Sequence, residues 1–219
     1  MVRESRRGKR GRATDLGRLD VAAAIGHRLD MSAIVAAASP LELAALWRLD
    51  LLTARDVVQV CLNWLEQGLD DEAPDIVLLA SEIDPRLDDL RPRFERVLTA
   101  LAGPLSRDEA LPIALRLHLA VALVQPDERF VEAMDLVIAR FVDASEQRLV
   151  THPHRLTDRP DETFAEQELG LEYIYGTYHE LDDLLGGQVW VDDPVAAQAQ
   201  CLAALREEVG VLHAHLATL

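Results

Sequence analysis

The stretch "TARDVVQVCLNWLEQG", residues 53–68, decides the fold class. Thr53 with Asp56 three positions on is close to a capping box, in which hydroxyl and carboxylate each satisfy an unpaired N–H group at a helix start. Gly68 stands where a helix end favours a residue that tolerates a left-handed backbone. Between them, at about 100° per residue, Val57, Val58, Cys61, Leu62, Trp64 and Leu65 fall in one arc opposite Gln59, Asn63 and Glu66. The stretch therefore reads as one amphipathic helix with both ends marked.

The same grammar runs outward in both directions. Upstream, "PLELAALWRLDLL" follows Ser39 as N-cap and places Pro40 at the first helical position, where a missing N–H costs nothing. Downstream, "LDDEAPDIVLLASEIDPRLDDL", residues 69–90, sets eight carboxylates around a short apolar run with one arginine. Asp70 or Asp71 is expected to cap a helix burying Ile76, Leu79, Ala80 and Ile83. Asp84, before Pro85, is expected to cap the next, with Asp88 near its positive end. Asp75 and Glu82 share a face, but two turns, about 10 Å of rise, separate them, too far to hold one ion without other ligands.

"RPRFERVLTALAG" makes a further helix ending at Gly103, and Ser106 with Glu109 forms another capping-box pattern, although Pro112 leaves the start open between 106 and 111. From Leu111 to Val124 apolar residues occupy nearly the whole circumference, Arg116 being the exception, so this helix is expected to be central. Gln125, Pro126 and Asp127 break it, and "ERFVEAMDLVIARFVDA" supplies an amphipathic partner. The pairs 41–67 and 107–142 share a helix-turn-helix outline without a fixed period. A polar, two-proline segment follows, and residues 145–162 are the expected loop or internal boundary. Beyond it come one interrupted or two short helices in "FAEQELGLEYIYGTYHELDDLLGG", a brief extended "QVWV", and a last helix capped by Asp193 and opened by Pro194. Leu202, Leu205, Val209, Leu212 and Leu216 stripe that helix.

These readings amount to an all-α chain: a basic leader over 1–14, then a single multi-helix domain over 15–219, built of packed helical hairpins in a HEAT-like or irregular bundle. With 219 residues it can bury a sizeable core without staples. Cys61 and Cys201, far apart and outside any metal-ligand spacing, read as small buried hydrophobes. No segment has the uninterrupted apolar length of a membrane span, and the expectation is a soluble cytoplasmic protein.

Charge is distributed unevenly. Residues 1–12 hold six of the 22 Lys and Arg and one of the 38 Asp and Glu, which leaves a body with 16 cationic against 37 acidic residues, a formal charge of −21. Such a body repels phosphate backbones, so nucleic-acid contact is expected only through residues 1–12, if at all. The simpler reading of the leader is a solvated tail.

Few residues carry recognisable chemistry. His152 and His154 flank Pro153, and with Asp158 or Asp161 they make the one arrangement that could present imidazoles and a carboxylate to zinc; a solvated loop is the simpler reading. His213 and His215 lie about 200° apart on a helix and cannot chelate one ion. His118 falls inside the apolar arc of the central helix, where a lone histidine is ordinarily a hydrogen-bonded core residue. No nucleophile elbow, phosphate-binding glycine loop or helical metal-ligand motif occurs, so a non-enzymatic protein without a cofactor is expected, the alternatives being a metal-dependent enzyme that uses the His152–Asp161 loop or an adaptor whose Arg-rich leader contacts nucleic acid. The aromatic residues do cluster: Tyr173, Tyr175 and Tyr178 lie within six positions in a chain only 5% aromatic, and Trp190 follows. On a helix Ile174, Tyr178, Leu181 and Leu185 would be buried, Tyr175, His179 and Asp182 would sit at the edge, and Tyr173 and Glu180 would point elsewhere. Tyrosine and tryptophan beside Glu180, Asp182 and Asp183 are what a binding surface for a basic protein uses. The same phenols could instead pack between helices and hydrogen-bond locally, and both readings stay open.

Over residues 40–145, through "ELAALWRLDLLTARDVVQVCLNWLEQG" and "DIVLLASEID", the chain resembles a family of bacterial helical proteins of unknown function, some of which look like immunity proteins encoded beside secreted toxins. The resemblance implies tight binding of a partner, often a cationic nuclease or another toxic enzyme. It carries over no catalytic residue.

Overall fold

The structure, a computed structural model, describes residues 34–35, 38–143 and 169–219. The chain divides into two units, 1–30 and 31–219, and every described residue belongs to the second. The leader expected over 1–14 and the boundary expected over 145–162 lie outside the described residues. Those described are all-helical: eight α-helices and no strand. The helices are α1 (Pro40–Arg48), α2 (Ala54–Glu66), α3 (Asp75–Ala80), α4 (Leu87–Ala102), α5 (Arg107–Leu123), α6 (Asp127–Val137), α7 (Glu172–Leu185) and α8 (Pro194–Leu216).

Three helices begin on complete capping boxes, at Ser39 with Glu42, Thr53 with Asp56 and Ser106 with Glu109. In each the hydroxyl oxygen accepts from the third-residue N–H, and the carboxylate accepts from the cap N–H at 2.8–2.9 Å. The third box places the start of α5 at Arg107, so Pro112 lies inside the helix rather than opening it. α2 ends as its glycine foretells, with Gly68 left-handed at φ 75°. Its buried stripe is rotated from the expected arc: Val57, Val60, Cys61 and Trp64 are buried, whereas Leu62 and Leu65 are exposed. Among the described helices α2 packs chiefly on α3 and α4, which cover the narrower face.

The capping roles expected in residues 69–90 are not found. Asp70 and Asp71 lie within a 3-10 turn, Leu69–Asp71, and α3 starts after Pro74 with no side-chain cap. Arg86, not Asp84, occupies the N-cap position of α4, again without a side-chain bond, while Asp88 and Asp89 lie in its first turn. Ile83, expected in the core, is 96% exposed in the α3–α4 connection. Two of the carboxylates act across helices instead. Asp75 accepts from Arg96 at 2.9 Å and Glu82 pairs with Arg93 at 3.6 Å, tying α3 and its following turn to α4.

α5 is the central element, packed against α1, α6 and α8. Its whole circumference from 111 to 123 is at least half-buried, as its apolar composition requires. Arg116, the one charged residue there, reaches Glu42 of the α1 capping box at 3.3 Å. On one side of α5, α1 and α4 bring Trp47 and Phe94 edge to face at 4.9 Å, and Trp64 stacks on the same ring at 6.1 Å. On the other, Phe130, Met134 and Phe141 fill the core beneath α6 and its π-helical continuation, Ile138–Asp143. α7 and α8 form the C-terminal hairpin. Asp193 caps α8 by accepting from Ala196 N–H at 3.0 Å, and the stripe Cys201, Leu205, Val209 and Leu212 is buried. No helix among the described residues is long and apolar enough to cross a membrane.

Candidate functional site

The hairpin is held by its small polar residues. Thr177 Oγ1 donates to Glu208 Oε2 at 3.0 Å, the Cys201 thiol donates to the Thr177 carbonyl at 3.4 Å, and Gln198 Nε2 donates to the Leu184 carbonyl at 3.1 Å. These bonds set the roll of α7, with Ile174, Leu181 and Leu184 inward. Leu185, expected to be buried, is half-exposed, because Leu184 lies nearer the centre of the face that α8 covers.

That roll divides the tyrosine cluster between two sides of α7. Tyr175, Tyr178 and His179 stay together: the His179 ring meets Tyr175 edge-on at 4.3 Å and Tyr178 at 5.3 Å. Tyr178, expected on the buried face, is half-buried, and its hydroxyl donates to Asp135 Oδ1 of α6 at 2.5 Å. Removal from water, together with the charges of Asp182 and Glu132, raises the Asp135 carboxyl above its ordinary value, even though the Tyr178 bond pulls the other way. One surface thus gathers Tyr175, Tyr178, His179 and Asp182 from α7 with Asp135 and Glu132 from α6. Asp183 is half-buried farther around the helix.

Tyr173, 77% exposed, lies on the other side of α7. Glu180 belongs to that side too: its charge and that of Glu208 add to burial in raising the Cys201 thiol. Trp190 is 88% exposed in the link between the two helices. Of the eight residues expected to form one surface, the structure brings together Tyr175, Tyr178, His179 and Asp182. Asp135 and Glu132 were not legible as members, since nothing in α6 marks which carboxylates a tyrosine more than forty positions away will reach.

Most carboxylates of the described residues, those of this patch among them, make no ion pair with another described residue, and six do. Asp50, Glu95, Glu82, Asp75, Glu42 and Asp127 all pair with arginines. Among the described residues no lysine or arginine pairs with Asp135, Glu132 or Asp182. No group of three or more His, Cys, Asp or Glu among the described residues is placed to hold a metal ion. The candidate zinc loop, with His152, His154, Asp158 and Asp161, lies outside them.

His118 is the one buried polar residue of the described core, 3% exposed. A carbonyl can only accept, so the contact to Ala114 O at 2.8 Å puts the ring proton on Nδ1. Nε2 then turns its lone pair to the Arg140 guanidinium, which donates to it at 2.9 Å from the π-helical turn. Burial, helped by the Arg140 charge and opposed by the Ala114 bond, lowers the imidazole to about 4. A neutral histidine that accepts from a cation supports the helix packing and has no spare base to offer a substrate.

Compared with known protein families, curated proteins and solved structures, the chain matches none.

Proposed function

We propose that the protein is a non-enzymatic acidic binding protein, of the kind that holds and inhibits a basic toxin or enzyme, and that its α6–α7 face receives the partner. The observation that carries this reading is the patch itself: two tyrosines, a histidine and three carboxylates gathered from α6 and α7, with no ion pair to an arginine or lysine among the described residues. Asp135 is raised first by its removal from water, and the neighbouring charges of Asp182 and Glu132 add to that rise. A lysine- or arginine-rich surface offsets those charges on contact, while the phenols supply rigid area at small entropic cost. The body's charge of −21 draws such a partner from a distance. The resemblance to immunity-type helical proteins points in the same direction.

The test is capture from the native host. Tagged full-length protein and the variant Glu132→Lys/Asp182→Lys, both altered residues being exposed, are passed over lysate at low salt, and the eluates are read by mass spectrometry. A stoichiometric basic protein held by the wild type and lost from the variant is the expected result, with association slowing as salt rises. A wild-type eluate without a partner, or a partner held equally by both proteins, would count against this face.

A further inference from the structure

Across α7 from the Tyr178–Asp135 bond, the α7–α8 hairpin leaves an open groove of about 610 Å³. Its walls are apolar: Tyr173 and Ile174 from α7, and Ala204, Val211 and Leu212 from α8. Two of these are far more exposed than a finished core allows, Tyr173 at 77% and Val211 at 67%. Along α8 the lining runs from Ala204 to His215, about 16 Å of rise or three helical turns. Glu207 and Glu208 stand along the same wall, and no lysine or arginine among the described residues lines it.

Length, openness and charge together narrow the occupant. A small molecule needs a concavity that covers most of its surface, which walls this exposed do not provide. A helix laid lengthwise needs only a stripe, and three turns match an i, i+3 or i+4, i+7 set of apolar anchors. The body of a second copy, with its formal charge of −21, would bring acidic surface against Glu207 and Glu208, and like charges across an interface disfavour that pairing. We propose that the groove receives an amphipathic helix of the basic partner, its apolar residues seated on Tyr173 and Val211 and its lysines or arginines reaching Glu207 and Glu208. This rests on the basic-partner reading above and adds a second point of engagement on the opposite side of α7.

The probe is a fluorescein-labelled peptide of roughly 14 leucines and lysines in amphipathic helical order, long enough for about four turns. Its control has the same composition shuffled to destroy the apolar face. Anisotropy is measured with the full-length chain at about 0.15 M salt, where distant charges are screened. The ordered peptide is expected to bind at least roughly tenfold more tightly than the shuffled one. Val211→Asp should abolish that difference, whereas Val77→Asp, the same change on exposed α3, should preserve it. Val211→Asp should also leave the urea midpoint unchanged. Equal binding of the two peptides, or a preference that survives Val211→Asp, would overturn the proposal. So would a fall in the Val211→Asp midpoint, which would mean that the chain itself fills the groove. A wild-type dimer in sedimentation that Val211→Asp dissolves would assign the groove to a second copy and overturn it equally. Capture with Glu132→Lys/Asp182→Lys reads the α6–α7 face alone, so the two readings fail separately.

Discussion

At the scale of single residues, His118 ties stability to pH. Its imidazole titrates near 4 in the folded chain against 6.5 in an unfolded one. Between those values the unfolded state binds more protons, so stability is complete above about pH 6.5 and falls as pH drops toward 4. Among the described residues the polar groups that face the ring are Arg140 and the Ala114 carbonyl, with Phe141 edge-on to it and Asp56 acting on Arg140 in turn. A shift of this size amounts to about 3 kcal/mol across the window. Urea unfolding at pH 7 and pH 4.5 should show a loss of that order in the wild type. It should be clearly smaller in His118→Gln, whose amide can still accept from Arg140; parallel losses in both proteins would place the acid sensitivity elsewhere. That His118 belongs to the core was legible from its place in the apolar arc. Its partner was not, since Arg140 is 22 positions away and reaches it only through a π-helical turn that periodicity does not announce.

At the scale of helices, the sequence separates caps that close from caps that do not. Ser39, Thr53 and Ser106 each have an acid three positions later, and all three boxes form. Asp70, Asp71 and Asp84 are good capping residues by type, yet the backbone spends 69–71 in a tighter turn and opens α3 after a proline. Residue type alone misplaced these three, although it placed Asp193 correctly before Pro194; type with reciprocal spacing was right at all three boxes. Thr53→Ala should cost about 1 kcal/mol in urea unfolding, whereas Asp70→Ala should stay within about 0.5 kcal/mol of the wild type. An Asp70→Ala loss as large as that of Thr53→Ala would restore a capping role to that carboxylate. The division of tyrosines on α7 follows the same lesson: spacing put Tyr173 apart from Tyr175 correctly, but the roll that half-exposes Leu185 is set by α8.

At the scale of the whole described unit, α5 serves both halves of the core, and Arg206 of α8 fastens its end. The guanidinium donates to the Gln125 carbonyl at 2.7 Å and to Asp127 at 2.9 Å, and lies 4.1 Å from the centre of the Phe130 ring. One cation thus satisfies backbone past the C-terminus of α5, a carboxylate in the first turn of α6 and an aromatic face beneath. Arg206→Met keeps the stem on Phe130 but removes the donors, and a loss of about 1–3 kcal/mol is expected in the same unfolding assay. A loss below about 0.5 kcal/mol would reduce the contact to packing. The all-helical class and the central position of α5 were legible from periodicity. The cross-chain polar ties were not, because Arg206–Asp127, Tyr178–Asp135 and His118–Arg140 join positions that no local pattern relates.

The three tryptophans divide between two environments. Trp47 and Trp64 are sealed against Phe94, while Trp190 stands almost wholly in water on the link that leaves α7. The intrinsic emission of the protein therefore has two separable components, a blue, quencher-resistant pair and a red, quencher-accessible single. A partner seated on the hairpin close enough to cover the link would shield the second and leave the first unchanged. The unlabelled chain thus carries its own optical reporter of docking, with an internal reference built into the core.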